Sequence, residues 1–218
     1  MSQKILLLGG SRGLGRKFLE TVLENDNNGS HQILLISRKA TQLDIESLGN
    51  IKCIDFDFSK TEQQKLVISE ALDFQPNRVF YFASGGPYGS FSQKQWKDHQ
   101  WALEVSLLCP LRVFHALSQG VFLKQFVFIG SSVAEDAGDK AAASYAVAKH
   151  GLLGFYRSVQ LESPSIDIRL FSPGYMDTDM LPAHSKPREL GLCLDPKEVA
   201  IKLYDWSNKE AEFGGYLR

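Results

Sequence analysis

Leu8-Gly9-Gly10-Ser11-Arg12-Gly13-Leu14-Gly15 is the stretch on which the fold turns. An apolar run, 5–8, leads into it, and an amphipathic helical pattern over 14–25 follows. A strand that breaks on glycines and re-emerges as a helix presents backbone N–H groups at the positive end of a helix dipole, where a phosphate binds. Glycines at 9, 13 and 15 permit the tight turn and the close approach, and they carry Ser11, Arg12 and Leu14 between them. The unit predicts a domain that holds a dinucleotide pyrophosphate.

The alternation continues outward from this point. Short, nearly continuous apolar runs at 33–36, 51–56, 79–82, 126–130 and 166–171 read as further strands covered on both faces. Between them, 60–74, 96–119, 142–161 and 196–208 carry helical patterns. Breakers fall where the pattern needs them, at Asn27-Asn28-Gly29-Ser30 and Gly85-Gly86-Pro87. Asp195-Pro196 supplies an N-cap and a first-turn proline for the last helix. The expected architecture is a single-domain, Rossmann-like α/β fold over 1–218. It has a doubly wound parallel sheet of six or seven strands and helices on both faces. A length of 218 residues suffices for one well-buried core.

Composition narrows the partners. A net charge of −1 provides no global basic field for nucleic acid or an anionic membrane. No window approaches the ~18 apolar residues of a membrane helix, and the apolar run at the N-terminus ends too abruptly for a signal peptide. Cys53, Cys109 and Cys193 are odd in number and widely spaced, with no CxxC or Cys/His cluster. They read as reduced thiols of a cytoplasmic protein, with no metal site expected.

The end of the second strand discriminates between cofactors. An NAD site places Asp or Glu there to accept from the ribose 2′-hydroxyl. Here Ser37-Arg38-Lys39 follows the strand, and Arg12 lies within reach in the glycine turn. Such bases bind a 2′-phosphate through charge-assisted hydrogen bonds, which favours NADP(H) over NAD(H). Asp57, after the third strand, is placed to accept from the adenine amino group.

Tyr145 and Lys149 stand one helical turn apart, so both side chains reach one surface. A free tyrosine titrates near 10, and a neighbouring ammonium favours the tyrosinate. Ser132 lies thirteen residues before the tyrosine, at the C-terminal end of the fifth strand, where open α/β sheets bind ligands. A hydroxyl there would hold a carbonyl or alcohol oxygen while the tyrosine moves the proton.

With these residues in view, the chain resembles a classical short-chain dehydrogenase/reductase. Residues 8–15 are similar to that family's TGxxxGxG turn, Ile-Gly-Ser-Ser-Val-Ala (129–134) to its serine segment, and Ser-Tyr-Ala-Val-Ala-Lys (144–149) to its YxxxK. Ser-Pro-Gly-Tyr-Met-Asp-Thr-Asp-Met (172–180) resembles its PG…xT segment, and 195–200 its late helix start. The resemblance implies that Tyr145 is the catalytic acid/base, that Ser132 positions substrate, and that Lys149 binds the nicotinamide ribose and lowers the tyrosine pKa. It places Pro173, Gly174 and Thr178 against the nicotinamide. It also implies a homodimer, with a tetramer possible, through helices 96–119 and 142–161.

Three departures stand out. Ala83-Ser84-Gly85-Gly86 replaces the family's Asn-Asn-Ala-Gly beside the cofactor. Ser106 aligns with the catalytic asparagine that holds a proton-relay water. The segment 181–194 is a short substrate lid, and the chain lacks the family's longer C-terminal segment. The expected activity is NADPH-dependent hydride transfer to or from a carbonyl or secondary alcohol of a small molecule. The alternatives are an NADP(H)-binding regulator without turnover and a sugar-nucleotide epimerase or dehydratase on the same scaffold. Tyr88, Phe91 and Trp96 are read mainly as packing residues that would also line a pocket.

Overall fold

The structure, a computed structural model, describes residues 2–44, 50–136, 140–162 and 165–218. Seven strands form one parallel sheet: β1 (Lys4–Leu8), β2 (Gln32–Ser37), β3 (Ile51–Asp55), β4 (Arg78–Tyr81), β5 (Gln125–Ile129), β6 (Asp167–Phe171) and β7 (Tyr216–Leu217). Their order is β3-β2-β1-β4-β5-β6-β7. The chain starts at the centre, winds out through β2 and β3, and returns to build the other half from β4.

Alternation along each strand divides the core in two. Leu6, Leu34, Val79, Phe126 and Ile168 are in register across the sheet and point to one face. There they meet α2 (Gln64–Phe74), α4 (Cys109–Leu117) and α6 (Ala143–Leu161), through Val67, Val113 and Leu152 among others. Ile5, Leu7, Ile33, Leu35, Phe80 and Val127 point to the other face. They pack on α1 (Gly13–Asn25) and α8 (Pro196–Ser207), whose Phe18, Leu19, Val22, Leu203 and Trp206 complete that layer. A strand buried on both faces must be apolar at every position, which is why β1 reads Ile-Leu-Leu-Leu.

The helical run expected over 96–119 is not one regular helix. α3 (Trp96–Leu103) passes into a π-helical segment, 104–108, before α4 begins. Pro110 has no N–H for the carbonyl of Ser106 four residues back, and its ring would crowd that carbonyl in a tight α turn. Widening the turn relieves the clash.

Three short elements lie outside the sequence reading: α5 (Ser132–Asp136), α7 (Lys186–Glu189) and the two-residue β7. At the N-terminal ends of β4, β5 and β6 sits a buried polar layer. Arg169 pairs with Asp167 at 2.8 Å and donates to the Lys209 carbonyl at 2.8 Å. Arg78 donates to Gln125 at 2.9 Å and to Asn208 at 2.7 Å, and burial lowers its guanidinium to about 10. This layer ties α8 to the sheet at the end opposite the cleft. No described helix is long and apolar enough to cross a membrane.

Candidate active site

A cleft opens at the C-terminal ends of the strands, where the connections from β1 and β4 leave in opposite directions and the sheet parts its loops. Its floor is the glycine turn. Gly9 has φ +98°, and a Cβ there would lie 2.4 Å from the Ala83 nitrogen, so the two strand ends approach backbone to backbone. A Cβ on Gly15 would lie 2.5 Å from the Gly9 carbonyl, which lets α1 start tightly against the turn. Arg12 is the N-cap of α1, but its side chain makes no cap bond, and the first turn carries no acid. The first amides therefore have no side-chain acceptor among the described residues, and the helix dipole there favours an anion.

Ser11, Arg12, Gly13 and Leu14 line the cleft beside Ser37 and Arg38. The Ser11 and Ser37 hydroxyls are 2.7 Å apart, which pins the glycine turn to the end of β2. Arg12 and Arg38 are exposed, and neither guanidinium is ion-paired with a described residue. Lys39 is exposed and lies outside the cleft lining, because the chain turns away after Arg38. Asp57 lines the cleft, and its Oδ1 accepts from the Ser59 amide (3.0 Å) and hydroxyl (2.8 Å).

Tyr145 and Lys149 project from α6 into the cleft. Lys149 is 2% exposed, and its Nζ donates to the Ile129 carbonyl at 2.7 Å, 5.2 Å from the Tyr145 ring centroid. Burial lowers this ammonium to about 7, opposed by the charge of Glu135. Burial raises the Tyr145 phenol to about 12, with the Glu135 charge acting the same way, while hydrogen bonding with the Ser131 and Ser84 hydroxyls acts to lower it. Lys149 is not among the groups acting on the phenol, which lies above its ordinary value where a depression was expected. The ammonium is spent on the Ile129 carbonyl and the ring, and desolvation dominates at the hydroxyl.

The serine beside the phenol is Ser131, one residue earlier than the spacing argument places it. Ser131 is buried at the end of β5 and lines the cleft; its Oγ accepts from the Ala134 amide at 3.4 Å as α5 begins. Ser132 lies in the first turn of α5 and is not part of the lining. Its amide donates to the Pro173 carbonyl at 3.1 Å. A rotation of one residue at the strand-to-helix turn decides which of two adjacent hydroxyls faces Tyr145, and a residue count cannot register that rotation.

Ser106 also departs from expectation. It is buried, with Oγ donating to the Gly85 carbonyl (3.0 Å) and accepting from the Gly85 amide (3.0 Å) and the Ser84 hydroxyl (3.1 Å). Its hydrogen-bonding capacity is consumed by the loop after β4, and neither it nor Gly85 lines the cleft. Ala83 and Ser84 do, and Ser84 joins the Tyr145 phenol to Ser106. Pro173, Gly174 and Thr178 form the opposite wall. The Thr178 methyl would stand 3.5 Å from a Cβ on Gly13, and Arg188 of α7 donates to the Thr178 carbonyl at 2.7 Å.

Glu135 is the residue near this centre that the sequence reading missed. Its carboxylate accepts from the Ser131 amide at 3.1 Å, the Ser172 hydroxyl at 2.8 Å and the Tyr216 hydroxyl at 2.6 Å. Its one available signal was the i, i+4 spacing to Ser131, which carries meaning only once 132–136 is known to be helical.

Comparison with known proteins places this geometry. The short chain dehydrogenase family model matches residues 3–189, and the chain belongs to that family. It is 25% identical to the 3-oxoacyl-(acyl-carrier-protein) reductase FabG of Vibrio cholerae, over 95% of this chain and 91% of that one. It is 30% identical to carbonyl reductase family member 4 of Danio rerio, over 92% and 89% of the two chains. Among solved structures, BdcA in complex with NADPH superposes with a TM-score of 0.83 at 19% identity, covering 99% of this chain and 91% of that one. A short chain dehydrogenase from Burkholderia cenocepacia in complex with NADP gives 0.82 at 20% identity, covering 99% and 95%. The fold is that of the family throughout.

Proposed function

We propose that this chain is an NADPH-dependent oxidoreductase acting on a carbonyl, or the corresponding secondary alcohol, of a small molecule. One observation carries the reading: the Tyr145 phenol lies between the Ser131 and Ser84 hydroxyls in a cleft that also contains buried Lys149. The fit to NADP(H) rests on the amides of α1 left without a side-chain cap by Arg12 and on the guanidinium groups of Arg12 and Arg38, which no described residue pairs. The amides match a pyrophosphate, and the guanidinium groups match a 2′-phosphate. Relatives named as reductases and neighbours named as NADPH and NADP complexes support the same choice.

Bound NADPH would supply the hydride. The chain's own residues hold the substrate and manage the proton. Ser131 orients the carbonyl oxygen, and Tyr145, protonated across the neutral range because burial raises it, delivers the proton. On the other side, the Ser84 hydroxyl gives its one proton to Ser106, which passes the chain on to the Gly85 carbonyl, so Ser84 meets the phenol as an acceptor and fixes its direction. Lys149 holds the ribose from the same helix face. Lid residues 181–194 close over the substrate, and the exposed Val147 and Leu161 of α6, with Leu108, form part of a homodimer face. None of the three cysteines is in a disulfide, which supports a cytoplasmic setting.

The test is NADPH oxidation over a panel of aldehydes, ketones, diketones and quinones, with Tyr145→Phe as control. Turnover lost in Tyr145→Phe with NADPH binding retained is the expected result. A second reading is favoured by the engagement of Ser106 away from Lys149: an NADP(H)-binding regulator. Tight NADPH binding with no turnover on any substrate would establish it.

A further inference from the structure

The Ser131 turn is anchored from the far edge of the sheet. β7 pairs with β6, with Leu170 opposite Tyr216 and Phe171 opposite Leu217. From that edge the Tyr216 hydroxyl reaches the Glu135 carboxylate at 2.6 Å, and Arg218 pairs with Asp136 and donates to the Ser132 carbonyl at 3.1 Å. The other Glu135 oxygen takes the Ser131 amide and the Ser172 hydroxyl. Gly130 makes room for it, since a Cβ there would stand 2.4 Å from Glu135 Oε1. A carboxylate that gathers three donors from α5's own start, β6's end and β7 is a fixed acceptor, with little rotamer freedom left.

We propose that Glu135 is a positioning residue of this centre: held by Tyr216 and Ser172, it fixes the Ser131 backbone beside the phenol. The proposal rests on the oxidoreductase reading for its catalytic consequence, but not for its physical content. Among the described residues, the other charged or titratable groups on elements packed against α6 are engaged or remote. His99 of α3 is bound to Ser144 and Phe91, while its neighbours Lys97 and Asp98 are not among the groups acting on Lys149. Glu104 is bound to Arg112 and Gln64, Asp136 to Arg218, and Asp167 to Arg169. Among the described residues, Glu135 is the one whose charge opposes the desolvation of Lys149.

Glu135→Gln keeps the shape and an acceptor for the Ser131 amide, and removes the charge; Tyr216→Phe keeps the charge and removes one anchor. Two measurements need no substrate: the Lys149 titration by NMR in lysine-labelled protein, and hydrogen exchange over residues 129–136. In Glu135→Gln the Lys149 midpoint is expected to fall by about one unit or more. In Tyr216→Phe exchange over 129–136 is expected to accelerate while the midpoint holds nearer to that of the unaltered protein. In turnover, the alkaline limb of kcat in Glu135→Gln moves to lower pH, with about a tenfold loss above the limb for each unit moved and with carbonyl KM little changed. An unmoved Lys149 midpoint in Glu135→Gln, together with unchanged exchange in Tyr216→Phe, overturns the proposal. If the unaltered protein turns over no carbonyl, the oxidoreductase reading fails, and the midpoint and exchange still decide the role of Glu135. If Glu135→Gln does not fold, the Tyr216→Phe exchange decides it.

Discussion

Tyr145 and Lys149 both lose water when α6 packs, and desolvation pushes them in opposite directions, the phenol to about 12 and the ammonium to about 7. This has a sign for stability. A lysine whose folded value lies below its unfolded one binds fewer protons when folded, so stability rises with pH between about 7 and the ordinary lysine value and is lost as pH falls through 7. Lys149→Met is therefore expected to flatten the rise of the melting temperature between pH 7 and 10, as thermal melts across that range will show. The adjacent serines make a sharper pair of variants. Ser131→Ala should lower kcat/KM by roughly 10²-fold or more, the range of a lost acid–base or orienting group. Ser132→Ala, which removes a hydroxyl outside the cleft, should stay within about threefold. A larger loss in Ser132→Ala than in Ser131→Ala would return the role to Ser132. The sequence pointed to Ser132 alone, and the onset of α5 puts its neighbour Ser131 beside the phenol instead.

At the scale of elements, long patterns were legible and short ones were not. The apolar runs of β1 to β6 and the helical runs of α1, α2, α6 and α8 were readable because burial on one or both faces imposes a period on many residues. β7 has two residues and α5 has five, too few for any period, and both are held by contacts distant in sequence. The π-helical segment 104–108 had one written cue, Pro110, whose effect depends on the helix continuing past it. The buried layer of Arg169, Asp167, Arg78 and Gln125 shows the same limit. Polar residues inside apolar runs make sense only when β4, β5, β6 and α8 meet. Removing one partner leaves a charge stranded, so Asp167→Asn is expected to cost about 3–5 kcal/mol in urea unfolding. NADPH affinity should hardly change, since the layer lies at the sheet end away from the cleft.

On the scale of the molecule, the strand order places the ends of β1, β2 and β4 together, so that Arg12 from one connection and Arg38 from another flank the same cleft. Arg38→Ala, alone or with Arg12→Ala, should raise the KM for NADPH by about tenfold to a hundredfold, the worth of a hydrogen bond to a charged group, and leave that for NADH nearly unchanged. Steady-state kinetics with both cofactors checks this, and a parallel loss for NADH would remove the 2′-phosphate assignment. The sequence alone determined the order of strands and helices, the glycine turn, the missing acid after β2 and the Tyr–Lys pair. These are local facts, written in residue type and spacing within a few turns of chain. Only the tertiary structure decided that Ser131 faces the phenol, that Ser106 is spent on Gly85, and that Glu135 and Tyr216 support the serine turn. It alone also set the direction in which Tyr145 and Lys149 titrate. Those outcomes depend on burial and on contacts between residues far apart in the chain, which exist only after the sheet has closed.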